Sequence, residues 1–105
     1  MKGLVYNNGE LAGYLQKDSD GQYKFVYEEL YFADPQKKAI SLSLPKSQRA
    51  HLSKELFGFF FGLLSEGINK DIQCRALKID ENDHFRRLLA TAGEDTIGAI
   101  TVKPE

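Results

Sequence analysis

The dipeptide Asn8-Gly9 sits between two apolar runs, Leu4-Val5-Tyr6 and Leu11 to Leu15. A two-residue hairpin turn of type I′ needs positive φ at both central residues, and Asn-Gly meets that need at the least steric cost. The N-terminus must therefore start as a hairpin. Gly13 inside the returning strand marks a bulge or a close backbone approach. Asp18-Ser19-Asp20-Gly21 supplies a second turn. Tyr23, Phe25 and Tyr27 then alternate with Lys24 and Val26, the period of a third strand with one aromatic face. Glu28 to Phe32 fits either one helical turn or an irregular extension, and Asp34-Pro35 ends it. Ile40, Leu42 and Leu44 alternate with Ser41 and Ser43, which predicts a fourth strand stopped by Pro45.

Beyond Pro45 the spacing changes. Leu52, Leu56, Phe59/Phe60 and Leu63 recur at helical intervals, with Phe57, Phe61, Leu64 and Ile68 on a second stripe beside them. Gly67 is the expected stop of this helix. Asn69 is the expected cap of a second helix running to about Leu77. Asp80 is the expected cap of a third, with Phe85, Leu88, Leu89 and Ala92 on one face and Gly93 at its end. Ile97 to Val102 reads as a closing strand. The pattern predicts an α+β domain: a mostly antiparallel sheet, made of an N-terminal β meander and a closing C-terminal strand, with about three helices packed on one face. Its 105 residues suit one domain spanning 1–105.

Charge and composition narrow the chemistry. The formal net charge is -1, and the basic clusters Lys37-Lys38, Lys46 with Arg49, and Arg86-Arg87 are short. Direct nucleic-acid binding leans on a basic excess, so none is expected here. No basic start precedes an apolar run, as a secretory signal requires. The longest apolar stretch, Leu56 to Leu64, falls short of the ~20 residues that span a bilayer, so no membrane partner is expected. Cys74 is the single cysteine and cannot close an internal disulfide, which favours a cytoplasmic setting. Neither a Walker loop nor a kinase catalytic loop is present. His51, His84 and Cys74 lack paired metal-ligand spacing. Asp80-Glu81-Asn82-Asp83 reads as helix-capping charge rather than a calcium loop. The chain is therefore expected to be non-catalytic, with no cofactor and no metal.

The apolar feature is the cluster Phe57, Phe59, Phe60 and Phe61. Two readings of it stay open. The helix can be the central core element, or part of its second stripe, Phe61, Leu64 and Ile68, can be a docking patch.

The ordered motifs resemble the N-terminal subdomain of HipA-type serine/threonine kinases. They are Asn7-Asn8-Gly9, Phe25-Val26-Tyr27, Ile40-Ser41-Leu42-Ser43-Leu44-Pro45, Phe60-Phe61-Gly62-Leu63-Leu64-Ser65-Glu66-Gly67, Asp83-His84-Phe85-Arg86-Arg87-Leu88-Leu89, and Gly93 through Pro104. The family's proline before Glu-Gly is Ser65 here, and tryptophan is absent. The kinase's ATP-binding and catalytic residues belong to a part that this sequence does not include. In split systems of the family this domain is a separate, HipS-like antitoxin. The resemblance thus implies a module that binds and inhibits a HipA/HipT-type kinase, with a HipB-like DNA-binding protein reached through the complex. The alternative is a structural or activating subunit, or an N-terminal domain of such a kinase. The expected contact region is Phe61 with the connection Ser65-Glu66-Gly67-Ile68-Asn69, in which Ser65, Glu66 and Asn69 flank an apolar tip at Ile68.

Overall fold

The computed structural model describes residues 1–64, 67–80, 82–93 and 99–105, with only the backbone at 67–69, 71 and 73. The hairpin forms as its turn demands. Strand β1 (Lys2–Asn7) pairs antiparallel with β2 (Glu10–Lys17), and Asn8 and Gly9 take φ of 51° and 81°. The register shifts between Val5 and Tyr6, because Ala12 is an extra residue on β2. This bulge turns the Ala12 carbonyl out to accept the Glu28 N–H at 2.8 Å. Strand β3 (Tyr23–Tyr27) follows with Leu15 opposite Phe25.

The segment after β3 becomes helix α1 (Glu29–Ala33). Glu28 caps it, its carboxylate accepting the N–H of Leu30 at 3.0 Å and of Tyr31 at 2.9 Å. Those bonds to the charged form hold the Glu28 carboxyl below its ordinary value, with the Arg49 guanidinium a smaller influence.

The expected strand at 40–44 does not form. Residues 40–44 are turn and bend, with Ile40 and Leu44 buried and Leu42 fully exposed. Their alternation serves a latch. The Tyr27 hydroxyl accepts the Ile40 N–H at 3.1 Å and donates to the Leu44 carbonyl. The Tyr31 hydroxyl donates to the Lys38 carbonyl at 2.7 Å and accepts from Asn7 at 2.9 Å. Both ends of the turn are thus tied to tyrosines, and no backbone ladder is needed.

The fourth strand, β4 (Ala50–Ser53), falls inside the region whose spacing predicts a helix. It pairs with the free edge of β3, His51 opposite Phe25. A ladder along an open strand edge outweighs local helical periodicity here. The long helix therefore shrinks to α2 (Gly58–Phe61). Gly67 does not stop a helix but opens α3 (Gly67–Leu77), which places Asn69 within its first turn rather than at its cap. Helix α4 (His84–Thr91) is capped by Asp83 and not Asp80, since the Asp83 carboxylate accepts the Arg86 N–H at 3.2 Å. Asp80 instead accepts the Asn82 N–H at 2.9 Å in a local turn. The closing strand is β5 (Ile100–Pro104); Ile97 and Gly98, expected to begin it, lie outside the described residues.

The result is an α+β fold. A five-stranded antiparallel sheet runs β4-β3-β2-β1-β5, with four helices among the described residues. Paired residues share a face. Val5, Leu15, Phe25, Tyr27 and Val102 point to the core, where Phe60 of α2 and Phe85 and Leu88 of α4 meet them. Phe25 stacks edge-on to Tyr27 at 4.8 Å and tilts against Phe60 at 5.7 Å, while Tyr23 meets Phe85 edge-on at 5.8 Å. Burying each such ring stabilises the fold by ~1.5–3 kcal/mol. The opposite face carries Leu4, Tyr6, Leu11, Tyr14, Val26 and Leu52. None of these six belongs to the core cluster. No helix among the described residues is long and apolar enough to cross a membrane.

Candidate partner-binding surface

Helix α2 splits its phenylalanines by geometry. Phe60 is fully buried against Phe25, Phe57 and Phe59, so most of the cluster is core. Phe61, one residue on, turns about 100° around the helix and is 40% exposed. Its ring stands edge-on to the imidazole of His84 at 5.0 Å. His84 is the first residue of α4, held there by the Asp83 cap. The His84 Nδ1 is buried without a hydrogen-bond partner among the described residues. An open aromatic ring thus lies against a histidine whose Nδ1 is closed to solvent.

Of the expected contact set, the structure brings Phe61 to the surface. Ser65 and Glu66 lie outside the described residues, as do the side chains of Ile68 and Asn69. The backbone at Ile68 and Asn69 is helical, so an apolar tip on a helix-to-helix loop is not what forms at 67–69. Downstream, α3 leaves Ile72 58% and Leu77 48% exposed. Cys74, Leu77 and Ile79 face Arg87 and Thr91 of α4 across a narrow crevice.

Other surface features carry no evident chemistry. The depression lined by Asp20, Gly21, Gln22 and Lys54 is open and polar. Among the described residues, no group of three His, Cys, Asp or Glu side chains could hold a metal ion.

Sequence spacing alone did not single out His84 as the neighbour of Phe61, because the α2–α4 contact joins residues 23 apart. Nor did it isolate the sheet face that the described helices leave uncovered. A signal for that face was present in the continuous apolar run Leu4-Val5-Tyr6, since a strand with apolar residues on both parities offers something to bury on both sides.

The sequence pattern of the HipA N-terminal domain matches residues 3–103. The chain belongs to the HipA N-terminal domain family. A solved structure described as the N-terminal domain of HipA toxin superposes with a TM-score of 0.73 at 37% identity, covering 99% of this chain and 92% of that one. An uncharacterized protein of Haemophilus influenzae is 37% identical over 103 residues, 98% of this chain and 92% of its own length. A putative kinase of Sinorhizobium fredii is 32% identical over 101 residues, which are 96% of this chain and 24% of the kinase. This HipA N-terminal-type domain is thus related both to a protein of similar length and to a quarter of a putative kinase.

Proposed function

We propose that this HipA N-terminal-type domain is a non-catalytic, cytoplasmic protein-binding module that docks on a HipA/HipT-type serine/threonine kinase and inhibits it, as an antitoxin does. The exposed Phe61 ring, held edge-on to His84 of α4, is the observation that carries the proposal. Burying such a ring in a partner's pocket is the make-up of an interface hot spot. Inhibition follows if the bound domain fills the substrate cleft or prevents closure over nucleotide. Ser65, Glu66, Ile68 and Asn69 follow Phe61 in sequence and complete the proposed contact region. A HipB-like DNA-binding protein joins through the kinase rather than through this chain.

A second reading has its own support. In the Sinorhizobium fredii relative the matching segment is part of the putative kinase's own chain. The same module in trans would then complete a kinase instead of silencing it.

The deciding experiment expresses a HipA-type kinase from the same genome with and without this chain. Rescue of growth together with a co-purified complex supports the inhibitor. Kinase activity that appears only with this chain present supports the completing subunit. Absence of any complex overturns both.

A further inference from the structure

We propose that the face of the sheet left uncovered by the described helices is a second docking surface for the same kinase, built to meet an apolar patch with an acidic rim. This rests on the kinase being the partner.

The face is apolar at its centre and cationic at one end and along β5. Leu4 lies opposite Tyr14, Tyr14 opposite Val26, Tyr6 opposite Leu11, and Lys24 opposite Leu52, so these residues form one continuous patch. Leu52 is 61% exposed. Lys2 and Lys24 lie in the cross-strand row beside Leu4, Tyr14 and Val26, and Lys103 lies opposite Leu4, so the lysines border the patch at one end and along β5. The ammonium of Lys2 lies 4.7 Å from the Tyr14 ring centre and that of Lys103 5.8 Å from the Tyr6 ring centre. Glu105, ion-paired to Lys2 at 3.4 Å, is the carboxylate at the rim. In a chain with 15 acidic and 14 basic residues, a face carrying three lysines beside leucine, valine and tyrosine is complementary to an acidic-rimmed apolar surface.

The corner of the sheet where the two termini meet favours the kinase as the body that supplies that surface. Met1 and Glu105 lie together at one corner of the sheet. The Met1 carbonyl accepts the Lys17 N–H at 3.1 Å, and the Lys2 carbonyl accepts the Glu105 N–H at 3.1 Å. In the Sinorhizobium fredii putative kinase this domain accounts for 24% of the chain. Whichever end continues, the remaining mass is tethered at that corner, where Lys2 and Lys103 border the open face. A body tethered there reaches the face at high effective concentration, and a kinase bound in trans offers the same surface. Four of the six apolar residues are aliphatic, and the rings of Tyr14 and Tyr6 already carry the ammonium groups of Lys2 and Lys103. This favours a protein over stacked bases, which need a free aromatic platform.

The test titrates a HipA-type kinase from the same genome with the wild-type chain, the Lys24→Glu/Lys103→Glu double variant and Leu52→Asp, after thermal unfolding shows that the variants fold. The expected result is binding weakened about tenfold or more by either variant, with a shallower salt dependence for the charge reversal. Equal binding by wild type and both variants overturns the second surface while leaving the proposed function standing. No binding by the wild type overturns the proposed function itself. Self-association abolished by Leu52→Asp, with kinase binding intact, assigns the face to a second copy and overturns the proposal. Retention of a labelled single-stranded oligonucleotide, lost only on charge reversal with kinase binding intact, overturns it in favour of nucleic acid.

Discussion

The phenol oxygen of Tyr27 accepts the backbone N–H of Ile40 at 3.1 Å, a bond that holds a turn where a strand is expected from the sequence. The same hydroxyl donates to the Leu44 carbonyl. Replacing it, Tyr27→Phe, leaves a buried donor and a buried acceptor without a partner. The expected loss is about 1–3 kcal/mol for each group left unsatisfied, read by urea unfolding. Amide exchange at Ile40 should accelerate beyond the global change, because that bond is lost directly.

The same hydroxyl makes stability depend on alkaline pH. Burial raises its pKa above the ordinary value, the Ile40 N–H opposes this, and the neighbouring Tyr31 adds to the rise. The folded state therefore disfavours the phenolate. Its contribution is fully present below the unfolded value of about 10 and is lost as pH rises through the folded value. Unfolding followed from neutral pH upward should show this loss, and Tyr27→Phe should flatten it.

Acid acts at the other end of the same loop. The Glu28 carboxyl is held below its ordinary value by the N–H groups of Leu30 and Tyr31. Its contribution is present above the unfolded value and is lost as pH falls through the folded one. Exchange at the amides of Leu30 and Tyr31, measured from neutral pH downward and corrected for intrinsic rates, should rise in that window. Glu28→Gln should show no such step.

Two glycines predict opposite outcomes. A Cβ at Gly13 would lie 2.5 Å from the Val26 carbonyl oxygen and 2.7 Å from the Phe25 ring. Gly13→Ala is expected to destabilise by about 1–3 kcal/mol or more. At Gly58 nothing lies within 4 Å of such a Cβ. Gly58→Ala should be neutral or stabilise by about 0.4–1 kcal/mol through the unfolded chain. Paired denaturant curves compare the two.

Adjacent phenylalanines separate folding from binding. Phe60→Ala should cost about 3–5 kcal/mol, because the ring is fully buried against Phe25. Phe61→Asp should cost under about 1 kcal/mol, since Phe61 is half open and meets His84 at one edge. The second variant should nonetheless lose kinase binding. Circular dichroism and pull-down on both variants check the split.

The candidate surface was only partly legible beforehand. Phe61 stood out because the cluster holds more rings than one stripe of a helix needs, and the structure leaves that ring open. Its partner His84 comes from another element, and no local pattern connects the two. The six apolar residues of the open sheet face come from four strands, and only their pairing puts them side by side.

The amino-acid sequence by itself determined the elements whose causes are local. Asn8-Gly9 makes the first hairpin, the alternation of Tyr23, Phe25 and Tyr27 makes the third strand, and Phe85, Leu88 and Leu89 make one face of α4. Tertiary structure alone decided residues 40–53. There, alternation was spent on a turn latched by Tyr27, and helical spacing gave way to a strand. The reason is that a hydroxyl in the core and an open edge on β3 were available to satisfy that backbone, and neither is encoded near the residues that use it.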